Sequence, residues 1–380
     1  MPTPLLLAAT TTTWFGTARV PRALVEAGFE VTLLTPRNSL AEKSGYLRRI
    51  AYLRDDATER DFVAALGATV AATAPRLVVP CDDMAFRLLA RLVLNSPPGV
   101  SVAQRRLADL VRESLGDPAH YLTSVDKTLL PPAAQALGLR VLPFAIVSAP
   151  EEAESFIAEH GFPLVLKNAH GFAGEGVAFC SDRDEFAKSF AQLSRPTVFA
   201  PIEPKPRLLL QRYIEGSAQY FPLAAWRGEL VAGWAVERVV GHPAAKGPAT
   251  VVRHLRSAEV RAFAERIVRG FGMSGLLNLE CMIEQGTGRA YLLELSRRVN
   301  PGIHRGRWVG VDVCAALHAA ATGMPWPSGM DVEAGEGRIA AHFPQEWLRD
   351  PGSSYLRDYP VDVPWDEPEL LEAMLAMRHH

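Results

Sequence analysis

The chain has 380 residues, a length that favours two or three domains. Its composition, 48% hydrophobic and 22% charged with a net charge of −2, gives no reason to expect a nucleic-acid or membrane partner. No apolar run approaches the roughly 20 residues that span a bilayer, and the amino terminus lacks the basic segment of a signal peptide. The four cysteines form no CxxC pair, which favours free thiols in a reducing cytosol. We therefore expect a cytoplasmic protein.

Strands and helices alternate in the first third of the chain, a pattern typical of a parallel α/β sheet. Ligands of such sheets bind at the carboxyl ends of the strands, where the loops 10–16 and 81–83 are expected to lie. Amides at the start of a helix can hold an anion there, and ordinary helix N-caps by Thr17 and Asp83 are the alternative. The predicted strands are 5–9, 29–35 and 76–80, and the predicted helices are 17–27, 59–74 and 84–95.

A glycine-rich loop joins two predicted strands in the middle of the chain. Strand 163–167 ends at Lys167, and the loop from His170 to Gly176 leads into strand 177–180. Such a loop can fold over phosphate groups with its backbone N–H groups, while the lysine supplies positive charge. A plain hairpin is the alternative. The strand-to-strand context excludes a P-loop or a Rossmann fingerprint, which both require a helix after the loop.

Antiparallel strands are predicted next, at 207–212, 221–226 and 230–239. A Pro/Gly segment follows at 241–254, and loops of this length inside a compact domain are usually functional lids or disordered. We expect this segment to be a lid that brings Lys246 to a substrate. A helix is predicted at 258–270.

Two acidic residues stand in very apolar strands, predicted at 277–283 and 289–295 and joined by a glycine-containing turn. Symmetric pairing across the turn puts Glu280 opposite Glu294, roughly 5 Å away. Carboxylates this close repel each other unless a proton or a cation lies between them. A site made only of oxygen atoms suits Mg²⁺. A solvated acidic face is the alternative.

The glycine-rich loop with its lysine, the strand LLLQRYIEG and the acidic hairpin occur in this order, and together they resemble the ATP-grasp superfamily of the carboxylate–amine ligase type. The resemblance implies a parallel α/β domain followed by an ATP-grasp fold of two α+β subdomains that enclose the nucleotide, with ATP and Mg²⁺ as cofactors. The implied segments are an N-terminal α/β domain (1–116), a central and lid subdomain (117–213), a C-terminal subdomain with the metal site (214–330) and a C-terminal wrap (331–380).

The resemblance also implies roles for individual residues. Lys167 and Arg298 would be catalytic, with Arg298 steadying an acyl-phosphate. The implied metal ligands are Glu280, Glu294 and Ser296, the last standing where the family commonly has asparagine. The implied nucleotide-binding residues are Lys127, Lys167, His170, Gly171, Gly174, Gly176, Gln211, Arg212, Ile214 and Gln219.

Basic residues follow the second acid, and arginine suits the bidentate recognition of carboxylates. We expect this basic cluster to bind the substrate carboxylate together with the lid residue Lys246; a solvated loop is the alternative. The members of the basic cluster are Arg298, His304, Arg305 and Arg307.

The resemblance implies an ATP-dependent ligase that activates a carboxylate as an acyl-phosphate and joins it to an amine, with ADP and phosphate as products. Lys127, Lys167 and Arg298 fit this reaction because phosphoryl transfer depends on positioning and charge neutralisation. The partners would be a small carboxylate and a small amine, amino-acid-like in character, and a homodimer is an open alternative to a monomer. Two other functions stay open: an ATP-grasp carboxylase or small-molecule kinase, and a non-catalytic ATP-binding regulatory protein.

Overall fold

The computed structural model describes residues 2–10, 15–97, 99–171, 176–195, 207–243, 247–325 and 335–377. These residues form a four-stranded parallel sheet, a four-stranded antiparallel sheet and a seven-stranded antiparallel sheet. None of the helices in the described part of the chain is both long and apolar enough to cross a membrane.

The parallel sheet is built by the first part of the chain, as the alternation of strands and helices predicts. Its strand order is β3-β2-β1-β4. The strands are almost continuously apolar because helices cover both faces of the sheet. The strands are β1 (Thr3–Ala8), β2 (Phe29–Pro36), β3 (Arg49–Leu53) and β4 (Leu77–Pro80), and the helices are α1 (Val20–Glu26), α2 (Glu59–Thr73), α3 (Asp83–Leu94) and α4 (Val102–Leu115).

The four-stranded antiparallel sheet has one face packed on helices and one face free for the site. Phe156 and Phe186 come from the helices and pack on Leu166 and Leu210 of the strands. Because side chains alternate along a strand, Lys167 and its neighbours on the same face point the other way. The strands are β5 (Phe144–Val147), β6 (Leu164–Asn168), β7 (Val177–Cys180) and β8 (Leu208–Arg212) in the order β5-β8-β6-β7, and the helices are α5 (Leu130–Ala136), α6 (Glu154–His160) and α7 (Arg183–Leu193).

The seven-stranded sheet has the order β14-β13-β9-β11-β12-β15, with β10 paired to β9. Apolar side chains of α8 pack on β9, β13 and β14. Helix α9 lies between this sheet and α1. The strands are β9 (Gly216–Trp226), β10 (Glu229–Gly233), β11 (Ala235–Gly241), β12 (Ala249–Leu255), β13 (Gly275–Glu284), β14 (Ala290–Ser296) and β15 (Ile339–Ala341), and the helices are α8 (Ala258–Gly270), α9 (Val313–Thr322), α10 (Gln345–Arg349), α11 (Ser354–Asp358) and α12 (Pro368–Ala376).

Two segments that we predicted as irregular contain strands. The end of the segment 241–254 that we predicted as a lid, from Ala249 onwards, is strand β12, which pairs with β11 and β15. The prolines and glycines at the start of this segment indicate a loop, and they outweighed the β-branched residues Thr250, Val251 and Val252 in the sequence prediction. The predicted wrap also contributes a strand, β15, to the large sheet, and its Leu370 and Met374 pack against Ala18 near the amino terminus. Lys246 lies outside the described residues.

Candidate functional site

The acidic hairpin pairs as predicted at the position that matters. Glu280 stands directly opposite Glu294, but nearer the turn the register shifts by one residue, so that Cys281 stands opposite Leu292. Leu293 is the extra residue of a β-bulge. The symmetric pairing that the sequence suggests is therefore wrong on the turn side of Glu280.

A cavity of ≈ 240 Å³ lies between the two antiparallel sheets. Strands β6, β7 and β8 supply one wall, and β9, β11, β13 and β14 supply the other. The structure brings nine residues that the sequence suggested into its lining: Lys167, Gln211, Arg212, Ile214, Glu280, Glu294, Ser296, Arg298 and Arg305.

One end of the cavity combines an apolar wall with a buried amide. Gln211 is 1% exposed, and both its Oε1 and its Nε2 lack a hydrogen-bond partner among the described residues. Val165 stands beside it on β6, and Met282 lines the facing wall. A side chain that offers one donor and one acceptor beside an apolar slot is suited to the edge of a planar heterocycle.

The other end of the cavity carries Glu280, Glu294 and Lys167, and Lys127 lies beside Glu294. Lys127 Nζ lies 3.5 Å from Glu294 Oε1 and donates a hydrogen bond of 2.7 Å to the carbonyl of Gly171. The backbone N–H of Lys127 donates to the carbonyl of Ala169. Lys127 thereby connects the acidic hairpin to the base of the glycine-rich loop.

Burial, followed by the charge of Glu294, raises the pKa of Glu280 to about 7, against the opposing effects of Lys167 and Arg238. Burial also lowers the pKa of Lys167, and the nearby Lys127 adds to that shift. Glu280 is thus the more desolvated member of the acid pair, while Glu294 has Lys127 beside it. With the hydroxyl of Ser296 the pair offers only oxygen donors, which fits Mg²⁺.

Among the described residues, no three or more His, Cys, Asp or Glu side chains are arranged so that they alone could hold a metal ion. A cation at the hairpin would therefore complete its coordination with hydroxyl, amide, water or phosphate oxygens. Asn278, a residue that the motif comparison missed, stands opposite Ser296 and lines the cavity. Its Oδ1 accepts a hydrogen bond from the amide of Asn300.

The parallel sheet contributes to the same site through the start of α3. Arg298 Nε donates a hydrogen bond of 3.0 Å to Asp83 Oδ2. The N-cap of α3 is Asp82, not Asp83 as the sequence suggested, and its carboxylate also accepts from the N–H and hydroxyl of Thr10. The predicted ligand edge of the parallel sheet therefore meets the cavity at Arg298.

The glycine-rich loop is described at both of its ends. His170 is buried and its Nδ1 contacts the guanidinium of Arg87 on α3. Gly176 has φ +71°, and a Cβ there would lie 2.9 Å from Asn168 Nδ2, so this end of the loop requires glycine. Gly174 lies outside the described residues.

Seven described residues that the sequence suggested are absent from the cavity lining. Four of them, Lys127, His170, Gly171 and Gly176, belong to the glycine-rich loop or contact its base, and the other three lie elsewhere. Ala218 and Tyr220, on either side of Gln219 in β9, both line the cavity. Because successive side chains of a strand point to opposite faces, the side chain of Gln219 points away from the cavity. His304 contacts Asp362, and Arg307 pairs with acidic side chains on α1 and at the start of α9. We therefore leave Gln219, His304 and Arg307 out of the candidate site.

Other lining residues escaped the sequence comparison. Arg238 on β11 follows Glu237 in an otherwise apolar strand, and a charged residue in that context was the signal that could have found it. His342 and Gln345 come from the segment predicted as a wrap, and Phe15 comes from the Thr-rich loop. No local pattern marks these three residues as neighbours of the hairpin.

Known proteins resemble this chain in the segments that form the cavity. The family model for the ATP binding domain of the carbamoyl-phosphate synthase L chain matches residues 126–222. The carbamoyl phosphate synthase large chain of Thermus thermophilus is 28% identical over 173 residues, which cover 44% of this chain and 16% of that protein. Acetyl-CoA carboxylase 2 of Oryza sativa is 26% identical over 185 residues, covering 48% of this chain and 8% of that protein. The chain thus matches less than a fifth of the length of these relatives.

Solved structures match over most of the chain. The biotin carboxylase domain of Hydrogenobacter thermophilus 2-oxoglutarate carboxylase, in complex with MgADP, ADP and bicarbonate, has a TM-score of 0.65 at 15% identity and covers 88% of this chain and 73% of that one. N5-carboxyaminoimidazole synthetase of Staphylococcus aureus, in complex with ADP, has a TM-score of 0.63 at 12% identity and covers 86% and 79%. The chain therefore has the ATP-grasp fold, and the resemblance to the ATP-grasp superfamily that its sequence shows is confirmed.

Proposed function

We propose that this chain is an ATP-dependent ligase that activates a carboxylate as an acyl-phosphate and joins it to an amine, releasing ADP and phosphate. The observation that carries the proposal is the pairing of Glu280 with Glu294 in the same cavity that receives Gln211, Lys167 and Arg298. One end of this cavity suits a base and the other suits a metal with phosphates. That arrangement supports a nucleotide-dependent reaction at the hairpin.

The described residues fit the nucleotide and the cation. The unpartnered amide of Gln211 would pair with the base, and the backbone of Arg212 and Ile214 would border it. Mg²⁺ bound by the acid pair would neutralise charge on the transferred phosphoryl group. The residues that would contact the phosphates are Lys127, Lys167, His170, Gly171, Gly176 and, as a prediction, Gly174.

Arg298 is the residue best placed to hold the reacting carboxylate. It lines the cavity two residues after Ser296, and its Nε is fixed by Asp83. A guanidinium held in a fixed orientation suits a carboxylate or the acyl-phosphate made from it. Lys127 and Lys167 add positive charge from the side of the glycine-rich loop.

A bicarbonate-using carboxylase is the second candidate. The solved Hydrogenobacter thermophilus domain contains bicarbonate with MgADP, and acetyl-CoA carboxylase 2 is among the relatives. Bicarbonate and an organic carboxylate place the same demand on Arg298, since both present two oxygens to a guanidinium. The acid that is activated therefore separates the two candidates.

The test is ADP release with Mg²⁺ATP and pools of carboxylic acids and amines, compared with bicarbonate alone. Under the ligase proposal, one acid pool stimulates ADP release, and ¹⁸O from its labelled carboxylate appears in the released phosphate. Stimulation by bicarbonate alone would favour the carboxylase. If ATP raises the melting temperature but no acid stimulates turnover, the ligase proposal fails and a regulatory ATP-binding protein is favoured.

A further inference from the structure

Arg305 is a buried arginine that faces the cavity with unused hydrogen-bonding capacity. It is 5% exposed and lines the cavity, yet its Nε and Nη1 have no hydrogen-bond partner in the described part of the chain. A desolvated guanidinium with unpaired N–H groups is costly unless an acceptor reaches it. The surroundings of Arg305 therefore point to a bound anion.

One carboxylate, that of Asp362, faces Arg305 but does not satisfy it. Asp362 Oδ2 lies 3.8 Å from Arg305 Nη1, beyond hydrogen-bond distance. The two oxygens of Asp362 contact His304 Nε2 at 2.9 Å and accept from the backbone N–H of Phe343 at 2.6 Å. Burial lowers the pKa of Arg305 to about 10, the charge of Asp362 opposes this shift, and the charge of Arg19 adds to it. Arg305 therefore remains cationic at neutral pH.

Two neutral polar side chains stand in the cavity wall with Arg305. His342 is 7% exposed and its Nε2 lacks a partner among the described residues, and Gln345 lines the same cavity with a primary amide that carries two N–H groups. Burial lowers the pKa of His342 well below its usual value, and the charge of Arg305 reinforces the shift. A neutral imidazole and a primary amide can both donate hydrogen bonds to an anion that Arg305 attracts.

The backbone makes room for the guanidinium at Gly302. A Cβ at this position would lie 1.9 Å from Arg305 Nη2, so the guanidinium rests directly on the glycine. The N–H of Gly302 donates to Asn300 Oδ1, which holds this turn in place. Arg305 is therefore seated by the loop that leads from the hairpin into the 3₁₀ helix Ile303–Val309.

Arg298 and Arg305 are anchored by different parts of the molecule. Arg298 is held by Asp83 at the start of α3, whereas Arg305 is packed against Gly302 and the carboxy-terminal residues His342 and Asp362. Because their anchors differ, each guanidinium group is oriented by its own set of neighbours and can receive an acidic group of its own. Two separate acidic groups match this arrangement.

We propose that Arg305, His342 and Gln345 form a second anion site that binds a non-reacting acidic group of the substrate. The acid substrate then carries two anionic groups, either two carboxylates or a carboxylate and a phosphate; we call such a compound a dianion and its counterpart with one anionic group a monoanion. This inference rests on the proposed function, because it takes the reacting carboxylate to lie at Arg298.

The test measures binding by calorimetry in the presence of Mg²⁺ and a nonhydrolysable ATP analogue. Dicarboxylates with one to five methylene groups are compared with their monoamides, and phosphoglycolate and 3-phosphoglycerate with glycolate and glycerate. We expect one dianion to bind the full-length protein about 10-fold or more tightly than its matched monoanion, since a charge-assisted contact is lost in the latter. Whether that dianion belongs to the first or the second series identifies the acidic group.

Arg305→Gln should bring the ratio of dianion to monoanion affinity close to one and leave the affinity for the ATP analogue unchanged. Arg305→Lys should keep part of the ratio, and Arg261→Gln, which removes an exposed arginine paired with Glu265, should keep all of it. If Arg305→Gln fails to fold, Gln345→Ala tests the same site, with a loss of about threefold expected.

Two results separate the possible failures. A wild-type protein that does not bind the ATP analogue would overturn the proposed function. A wild-type protein that binds the analogue but prefers no dianion would overturn the second anion site alone. The site is also overturned if the preference survives unchanged in Arg305→Gln, or in Gln345→Ala where Arg305→Gln does not fold.

Discussion

His254 on β12 links the stability of the fold to pH. It is 0% exposed, and neither ring nitrogen has a hydrogen-bond partner among the described residues. Burial lowers the pKa of His254 from 6.5 to about 4, and the charges of Arg305 and Arg338 add to the shift. The imidazole is therefore neutral in the folded protein at physiological pH and resists protonation until the pH is well below the usual range.

The direction of the effect follows from proton linkage. Because the folded pKa is below the unfolded one, the unfolded chain binds more protons between pH 6.5 and pH 4, so stability is lost as pH falls through this window. A proton-binding difference of this size lowers the free energy of unfolding by about 2 kcal/mol at pH 5 relative to pH 7.5, and by about 3 kcal/mol below pH 4. His342, whose pKa is also lowered by burial, contributes in the same direction.

We expect His254→Leu, which keeps the volume and removes the titrating group, to abolish this share of the acid sensitivity. Urea unfolding of both proteins at pH 7.5, 6 and 5 measures it: the stability of the variant relative to wild type should rise by about 2 kcal/mol between the highest and the lowest pH. Replacement of the exposed His242 by glutamine is the control and should follow wild type. Parallel curves for His254→Leu and wild type would refute the reasoning.

Three further outcomes are expected. Glu294→Gln should reduce ADP release about 100-fold or more, while Glu284→Gln, on the same hairpin but outside the cavity, should not; near-normal turnover in Glu294→Gln would remove the metal assignment. Gln211→Leu should raise the Kd for ATP about 10-fold in calorimetry, and an unchanged Kd would exclude the base contact. Asp362→Asn should lower the free energy of unfolding by about 2–4 kcal/mol in urea, because this buried carboxylate accepts from Phe343 and faces cationic groups; a loss below about 0.5 kcal/mol would contradict that role.

Elements with a strong local pattern could be predicted from the sequence. Helix α8 and strand β7 have the predicted bounds, because apolar periodicity and flanking signals mark both. Strand β12 was missed because what makes it a strand is pairing with β11 and β15, and β15 lies far along the chain. A local pattern does not contain such long-range pairing.

The same distinction explains the site. Lys167, Gln211 and the acidic pair stand on strands whose alternation determines the face they occupy, and all line the cavity. Gln219 obeys the same alternation, which places it on the other face of β9. His342 reaches the cavity because β15, which it follows, pairs with β12 of the large sheet. This contact joins segments that are far apart in the sequence, so a local motif does not predict it.

The β-bulge at Leu293 determines which side chains surround the acid pair. In a strictly alternating strand Leu292 would share the cavity face with Glu294, whereas the extra residue puts Leu292 in the core and turns both Leu293 and Glu294 towards the cavity. Leu293 and, from β13, Met282 then line the cavity beside the carboxylates, and apolar neighbours of this kind remove water from Glu280. Burial is the largest cause of the raised pKa of Glu280, and the charge of Glu294 is the second. A bound cation would therefore offset both the desolvation that the bulge produces and the repulsion between the two carboxylates.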